Sequence, residues 1–178
     1  MRPWCFIALW AFCACACAPE APPPQAQGQA LYEQGLEALN AGKWGLALGY
    51  FQRASQLMPD HIQTRLRLGE LYLRLGHRET GAQLYAGLSA EARQTPEAHL
   101  LQARLMAAEG QPLQARQLAT AVLQEQPHSL DARLLLTQLA LQANATMDLR
   151  GAQTLCQEAL AQFPRHYEAR TMLLKSVL

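Results

Sequence analysis

A small residue recurs every 34 positions through most of the chain, and this interval restricts the fold more than any other feature of the sequence. Gly42, Gly76, Gly110 and Asn144 lie 34 residues apart, each to the next. Glycine and asparagine are the residues that most readily adopt the left-handed conformation at a helix end. A period of this length over four cycles predicts a solenoid of stacked repeats.

The side chains between these positions follow a recognisable pattern. Residues 68–76, LGELYLRLG, carry Leu-Gly-x-x-Tyr, and residues 47–59, ALGYFQRASQLMP, carry Ala-x-x-x-Phe, a further alanine and a closing proline. The pattern resembles the tetratricopeptide repeat (TPR) family over residues 28–178. The resemblance implies an all-α fold, a right-handed superhelical solenoid of about four TPR helix pairs plus a C-terminal capping helix. The repeats are expected at about 28–61, 62–95, 96–128 and 129–164, with the cap at 165–178.

Individual helices follow from the same spacing. Gly35 and Gly69 are expected to let the paired helices approach closely, because they lack a side chain. Pro96, which closes the second repeat, lies three residues later than the 34-residue interval predicts. The second helix of this repeat is therefore expected to be longer or looser. Helices are expected at about 28–41, 44–57, 62–75, 78–92, 96–109, 112–125, 129–143, 148–162 and 165–177.

The first residues read as an export signal. Met1 and Arg2 give a short positive start, and residues 3–16 are apolar throughout. The apolar run is shorter than the roughly 20 residues that span a bilayer as a helix. Residues 1–16 therefore predict a secretory signal peptide, with a buried N-terminal helix as the alternative.

Residues 14–17, ACAC, resemble the lipobox of bacterial lipoproteins, which ends at the cysteine that receives lipid. The resemblance implies lipidation of Cys17, with Cys15 as the alternative, although neither has the leucine that the family prefers three residues earlier. Two other readings stay open: cleavage after residue 16 to release a soluble protein, and a soft-metal site that also uses Cys13. Residues 17–27, rich in proline, are expected to form an extended tether between lipid and domain.

Composition and motifs argue against nucleic-acid binding and against catalysis. The formal net charge of +1 and the scattered aromatic residues do not favour nucleic acid. Cys156 stands where Phe51 and Tyr85 stand in earlier repeats, so a buried, unreactive thiol is expected. No phosphate-binding loop or nucleophile motif is present in the sequence, so no catalytic residue, metal, cofactor or small-molecule substrate is expected. Histidines lack ligand spacing, and three of them follow repeat-closing prolines as expected turn residues: His61, His128 and His166.

In the TPR family, the first helix of each pair lines a concave groove. The resemblance therefore implies a groove for a peptide or helix, in which leucines alternate with polar groups. In the alternative reading, the leucines pack against neighbouring helices. The implied groove residues are Tyr32, Leu36, Gln63, Leu66, Glu70, Arg74, Leu100, Arg104, Leu134 and Gln138.

The whole chain is similar in architecture to small outer-membrane TPR lipoproteins that support pilus assembly. This resemblance implies an exported outer-membrane lipoprotein facing the periplasm, and Ala18 after Cys17 agrees with that location. Its partners would be other envelope proteins, and its role the assembly of a membrane complex such as a type IV-like pilus or a secretion system. The alternatives are a soluble periplasmic chaperone or maturation factor of the cytochrome c biogenesis type, and an accessory domain that presents substrate to an enzyme. Self-association stays open.

Overall fold

The computed structural model describes residues 23–143 and 146–177. Within these two ranges the chain forms ten α-helices and no β-strand, so the predicted all-α class is confirmed. In chain order, α1 to α10 are Pro24–Asn40, Trp44–Leu57, Ile62–Arg74, Arg78–Ala86, Ala90–Arg93, Pro96–Ala108, Pro112–Glu125, Leu130–Ala143, Thr146–Gln162 and Tyr167–Val177.

The helices stack as antiparallel pairs. Helices α1 and α2, α3 and α4, α6 and α7, and α8 and α9 form the four pairs, and α10 packs on α9 and α8. The first helices of successive pairs also touch one another, since α3 contacts α6 and α6 contacts α8. The predicted solenoid of four pairs and a terminal helix is therefore confirmed.

Each of the first three helix pairs has a glycine with positive φ in the turn between its two helices. Gly42, Gly76 and Gly110 have φ angles of 72°, 87° and 82°, in the left-handed region that the 34-residue spacing predicts. The amide of Lys43 then donates to the carbonyl of Ala38 at 2.8 Å, which satisfies a helix-end acceptor. Asn144, the fourth member of the series, lies outside the described residues.

Glycines inside the helices allow close packing, as predicted. A Cβ atom at Gly35 would lie 2.6 Å from the ring of Phe51, so only glycine lets α1 approach α2 this closely. A Cβ atom at Gly69 would lie 2.9 Å from Leu101, which shows that Gly69 also makes room for the next repeat. Gly81 completes the α3–α4 contact, because a Cβ atom there would lie 3.2 Å from the carbonyl oxygen of Gly69.

The core lies in the seams between helix layers and divides into four clusters, about one for each pair. Small residues on the second helices are fully buried and allow successive helix layers to pack closely. Cys156 is completely buried in the fourth cluster, as its position in the repeat predicts. The enclosed small residues of the second helices include Ala47, Ala54, Ala115, Ala119 and Ala159.

The second repeat differs from the expected single helix over 78–92. Helix α4 ends at Ala86, and the three extra residues are accommodated by the one-turn helix α5. The side chain of Ser89 caps this turn by accepting from the amide of Ala92, and Leu88 and Ala92 are buried against α6. The second helix of this repeat is therefore interrupted rather than longer, because a buried leucine and a serine cap favour a separate turn.

The N-terminal boundary also differs. Helix α1 begins at Pro24, four residues before the expected start, so residues 24–27 of the expected tether are helical. Proline is compatible with the first helical position, where its missing N–H donor is not needed. Near the start of α1, Gly28 lies against Met58 in the turn after α2. Residues 1–22, with the signal peptide and the lipidation candidates Cys15 and Cys17, lie outside the described part of the chain.

The histidines that follow the prolines do lie in turns, as predicted. His61 accepts through Nδ1 from the amide of Thr64 at 3.3 Å, and His166 accepts in the same way from the amide of Ala169. Both imidazoles therefore cap the helix that follows them. His128 lies in the turn between α7 and α8.

Candidate functional site

The first helices of the pairs, α1, α3, α6 and α8, together with α10, surround a concave surface that we call the trough. Its curvature is tight enough for helices two repeats apart to meet. Nη1 of Arg67 on α3 lies 2.8 Å from Oδ2 of Asp131 on α8. Arg74, at the end of α3, pairs with Glu168 on α10.

Glu70 stands at the centre of the trough floor and is only 7% exposed. Its carboxylate lies 3.0 Å from Nη1 of Arg67 and 2.8 Å from Nη2 of Arg74. Nη2 of Arg104, from α6, lies 3.0 Å from the same carboxylate. Three guanidinium groups and three carboxylates thus form one connected network along the floor: Arg67, Arg74, Arg104, Glu70, Asp131 and Glu168.

The network fixes the charge state of its members. Burial alone would raise the pKa of Glu70, but Arg104, Arg74 and Arg67 together hold it well below its usual range. Burial would lower the pKa of Arg67, and Asp131 and Glu70 reverse the effect and raise it. Glu70 and Arg67 are therefore both ionised at neutral pH, and each stabilises the charge of the other.

The floor leaves little space for a ligand. A cavity of about 20 Å³ remains between Gln63, Glu70, Leu100 and the other floor residues, which is room for about one water molecule. A peptide would enter the floor only by separating the buried ion pairs, which is energetically costly. The floor therefore holds the repeats together.

Three of the predicted groove residues are not available as apolar anchors. Leu66, Leu100 and Leu134 are 4%, 5% and 1% exposed and belong to three core clusters. These side chains pack against neighbouring helices, in agreement with the alternative reading of the leucines. Glu70 and Arg104 are likewise occupied within the network.

Two further predicted groove residues belong to the first repeat. The rings of Tyr32 and Phe51 are 5.6 Å apart, and Tyr32 also meets the His61 ring edge to face at 5.2 Å. Leu36 packs on the same first core cluster. Both Tyr32 and Leu36 are partly buried and support packing between α1 and its neighbours.

Helix α10 closes the trough by reaching the first repeat. The ring of Tyr167 lies against the Gly42 turn, where an added Cβ atom would be 2.5 Å from its Cδ1. Together with the Arg74–Glu168 ion pair, this contact joins the last helix to the first two repeats. The terminal helix thus forms a wall of the concave surface as well as covering α9.

Open space exists at the rim, where the C-terminal halves of α3, α6 and α8 lie near α10. One cavity there has a volume of about 430 Å³, and an adjoining cavity has about 300 Å³. The two share Arg74, Gln138 and Gln142, and we call them together the rim pocket. Arg74, Arg104 and Gln138 are the predicted groove residues that line it.

The sequence did not indicate the other rim residues. Trp44, Tyr167 and Lys175 line the larger cavity although they come from opposite ends of the repeat array. These residues come together because of the radius of the superhelix, and no local sequence pattern predicts that radius. Acidic and basic residues occur together on each of α3, α6, α8 and α10, which was an available signal that the floor is self-paired.

The arrangement offers binding groups and no recognisable catalytic set. Within residues 23–143 and 146–177, no group of three histidine, cysteine or acidic side chains could hold a metal ion. Burial raises the pKa of the Cys156 thiol, which lies 3.7 Å from the hydroxyl of Thr137 and is inaccessible. None of the helices in the described ranges is both long and apolar enough to cross a bilayer.

Comparison with known proteins agrees with the fold. The tetratricopeptide repeat family matches residues 38–105 and 106–146, more than half of the chain, and the chain therefore belongs to this family. The crystal structure of TTC0263, a thermophilic TPR protein of Thermus thermophilus, is similar with a TM-score of 0.59 and 17% identity, covering 84% of this chain and 80% of that one. No curated protein sequence matches the chain.

Two MamA structures are also similar. A MamA RS-1 ArsTM double mutant has a TM-score of 0.45 and 16% identity, covering 81% of this chain and 75% of that one. A MamA protein has a TM-score of 0.43 and 14% identity, covering 85% of this chain and 86% of that one.

Membership in the TPR family implies that the protein is a scaffold for protein–protein interaction.

Proposed function

We propose that the protein is a scaffold of the bacterial envelope that docks a segment of another protein in its trough. The docked protein belongs to a membrane complex under assembly, such as a type IV-like pilus or a secretion system. The observation that carries the proposal is the rim pocket, an open concave space inside an otherwise self-filled TPR trough. Ligand sites in proteins commonly occupy clefts of about 300–1,000 Å³, and each rim cavity reaches that range.

The polar lining supports a polypeptide as the occupant. Gln138 and Gln142 project from successive turns of α8, and neither amide forms a hydrogen bond with a described residue. A primary amide carries both donors and an acceptor, and can therefore pair with the N–H and C=O of a peptide backbone. Two such amides one turn apart offer an extended segment a short ladder of hydrogen bonds.

The cellular location is proposed from residues 1–17. A signal peptide ending at a lipid-modified Cys17, or Cys15, would tether the scaffold to the outer membrane on its periplasmic side. Mass spectrometry of the mature N-terminus tests this point. A diacylglyceryl cysteine supports the lipoprotein, whereas an unmodified start at residue 17 favours the soluble periplasmic alternative.

Site-specific photo-crosslinking in the living cell tests the docking surface. A photoreactive amino acid placed at Gln142, in the rim pocket, should give a discrete adduct with a partner protein. Gln83 is the matched control, because it is exposed on the outer helix α4 and lines neither rim cavity. Equal adducts at both positions, or adducts at Gln83 alone, would show that the trough is not the docking surface.

A further inference from the structure

The rim pocket has an unbalanced set of charges. Its lining contains four cationic side chains and one carboxylate, that of Glu168, which Arg74 already engages. Glu70 lies behind the lining and is shared by three arginines, so it does not balance the remaining cations. The four lining cations are Arg74, Arg78, Arg104 and Lys175.

Two of these cations are free to meet a ligand. Arg78, at the start of α4, and Lys175, in the last turn of α10, are exposed and form no ion pair with any residue in the described ranges.

Part of the lining of the larger cavity is apolar. It contains the rings of Trp44 and Tyr167 and the side chains of Leu141 and Met172. The Tyr167 side chain is held against the Gly42 turn, yet the residue remains 48% exposed. A rigid aromatic surface beside free cations fits a ligand that combines a bulky apolar group with an anion.

We propose that the rim pocket recognises an acidic segment of the partner protein. A carboxylate of the segment pairs with Arg78 or Lys175, and a neighbouring bulky apolar side chain packs on Trp44 and Tyr167. The glutamine amides on α8 bond the backbone between these two anchors, which favours a polypeptide over an isolated anion. The inference rests on the proposed docking function and specifies the chemistry of its partner.

Selection from a phage-displayed library of short random peptides on the full chain tests the inference. Enriched peptides should contain aspartate or glutamate close to an aromatic or large aliphatic residue. Their affinity should fall by about tenfold or more in the variant Arg78→Glu/Lys175→Glu, because each reversal replaces an attraction by a repulsion. It should also fall as the salt concentration rises.

The matched control is Arg53→Glu/Arg170→Glu. It makes the same change in net charge at two exposed residues that line neither rim cavity. Affinity should stay within about twofold of the unaltered chain, a difference of at most about 0.4 kcal/mol. Circular dichroism should show full helicity in both variants, because all four substituted residues are exposed.

Several results would overturn the inference. Enrichment of neutral or basic peptides, no enrichment, or equal binding by the rim and control variants would each contradict recognition of an acidic segment. Sedimentation with phosphatidylglycerol vesicles that depends on Arg78 and Lys175, without competition by the peptides, would assign the pocket to a lipid headgroup instead. Crosslinks at Gln142 in any of these cases would keep the docking function and reject only the acidic partner, whereas their absence would reject the docking function itself.

Discussion

Replacing Glu70 by glutamine removes the central negative charge of the trough floor while preserving the shape of the side chain. In the native network three arginines face three carboxylates, and all contacts to Glu70 lie between 2.8 and 3.0 Å. In Glu70→Gln the same three guanidinium groups face only Asp131 and Glu168. Arg104, 7% exposed, then has no ion-pair partner among the described residues.

The expected cost follows from the burial of these groups. Removing one member of a buried ion pair typically costs about 3–5 kcal/mol, because the remaining charge stays desolvated. Glutamine still accepts one hydrogen bond through its amide oxygen, so we expect a loss near the lower limit, about 3 kcal/mol. For a domain of this size, that loss corresponds to a melting temperature lower by roughly 6–12 °C.

Thermal and urea unfolding, followed by circular dichroism at neutral pH, measure this loss. Glu37→Gln is the matched control, since Glu37 is exposed on α1 and should change stability by less than about 0.5 kcal/mol. Adding Arg104→Met to Glu70→Gln should restore part of the stability, because the uncompensated charge is removed with its partner. Equal unfolding of Glu70→Gln and Glu37→Gln would refute the view that the floor is a buried, interdependent network.

Three further measurements test other parts of the structure. Gly42→Ala and Gly76→Ala should both destabilise the fold by about 1–2 kcal/mol, since both positions have positive φ, but Gly42→Ala should cost more in a melting experiment because its Cβ atom meets the Tyr167 ring. Peptide mapping after N-ethylmaleimide treatment should find Cys156 unmodified in the native chain and modified in urea, because burial shields the thiol and raises its pKa. Burial lowers the pKa of His166, so the stability that it contributes is complete above about pH 6.5 and is lost as the pH falls through the folded pKa. The variant His166→Asn keeps a capping side chain but does not titrate. It should therefore lack this part of the decline in melting temperature at acid pH.

The features that the sequence predicts correctly depend on local rules. The turns at Gly42, Gly76 and Gly110 require positive φ, and the 34-residue interval identifies them without any knowledge of packing. The close approach at Gly35 is also visible in the sequence, because a glycine inside a good helical pattern needs a packing reason. The buried Cys156 follows from its position in the repeat.

The features that the sequence does not predict depend on distant contacts. The interruption between α4 and α5 is stabilised by burial of Leu88 against α6, which belongs to the next repeat. The burial of Leu66, Leu100 and Leu134 comes from packing against neighbouring helices of the stack. The contact of Arg67 with Asp131 joins residues that are 64 positions apart and has no signature in a single repeat.

The ion-pair floor and the open rim together decide where a partner can bind. Entry into the floor would separate Glu70 from three arginines, so a ligand gains more from the rim, where Arg78 and Lys175 have no ion-pair partner among the described residues. Helix α10 supplies one wall of that rim and holds it against the first two repeats through Tyr167 and Glu168. A terminal helix expected only to shield the end of the stack is therefore part of the proposed binding surface. A ligand at the rim would also hold both ends of the solenoid together, so binding and closure of the array should stabilise each other.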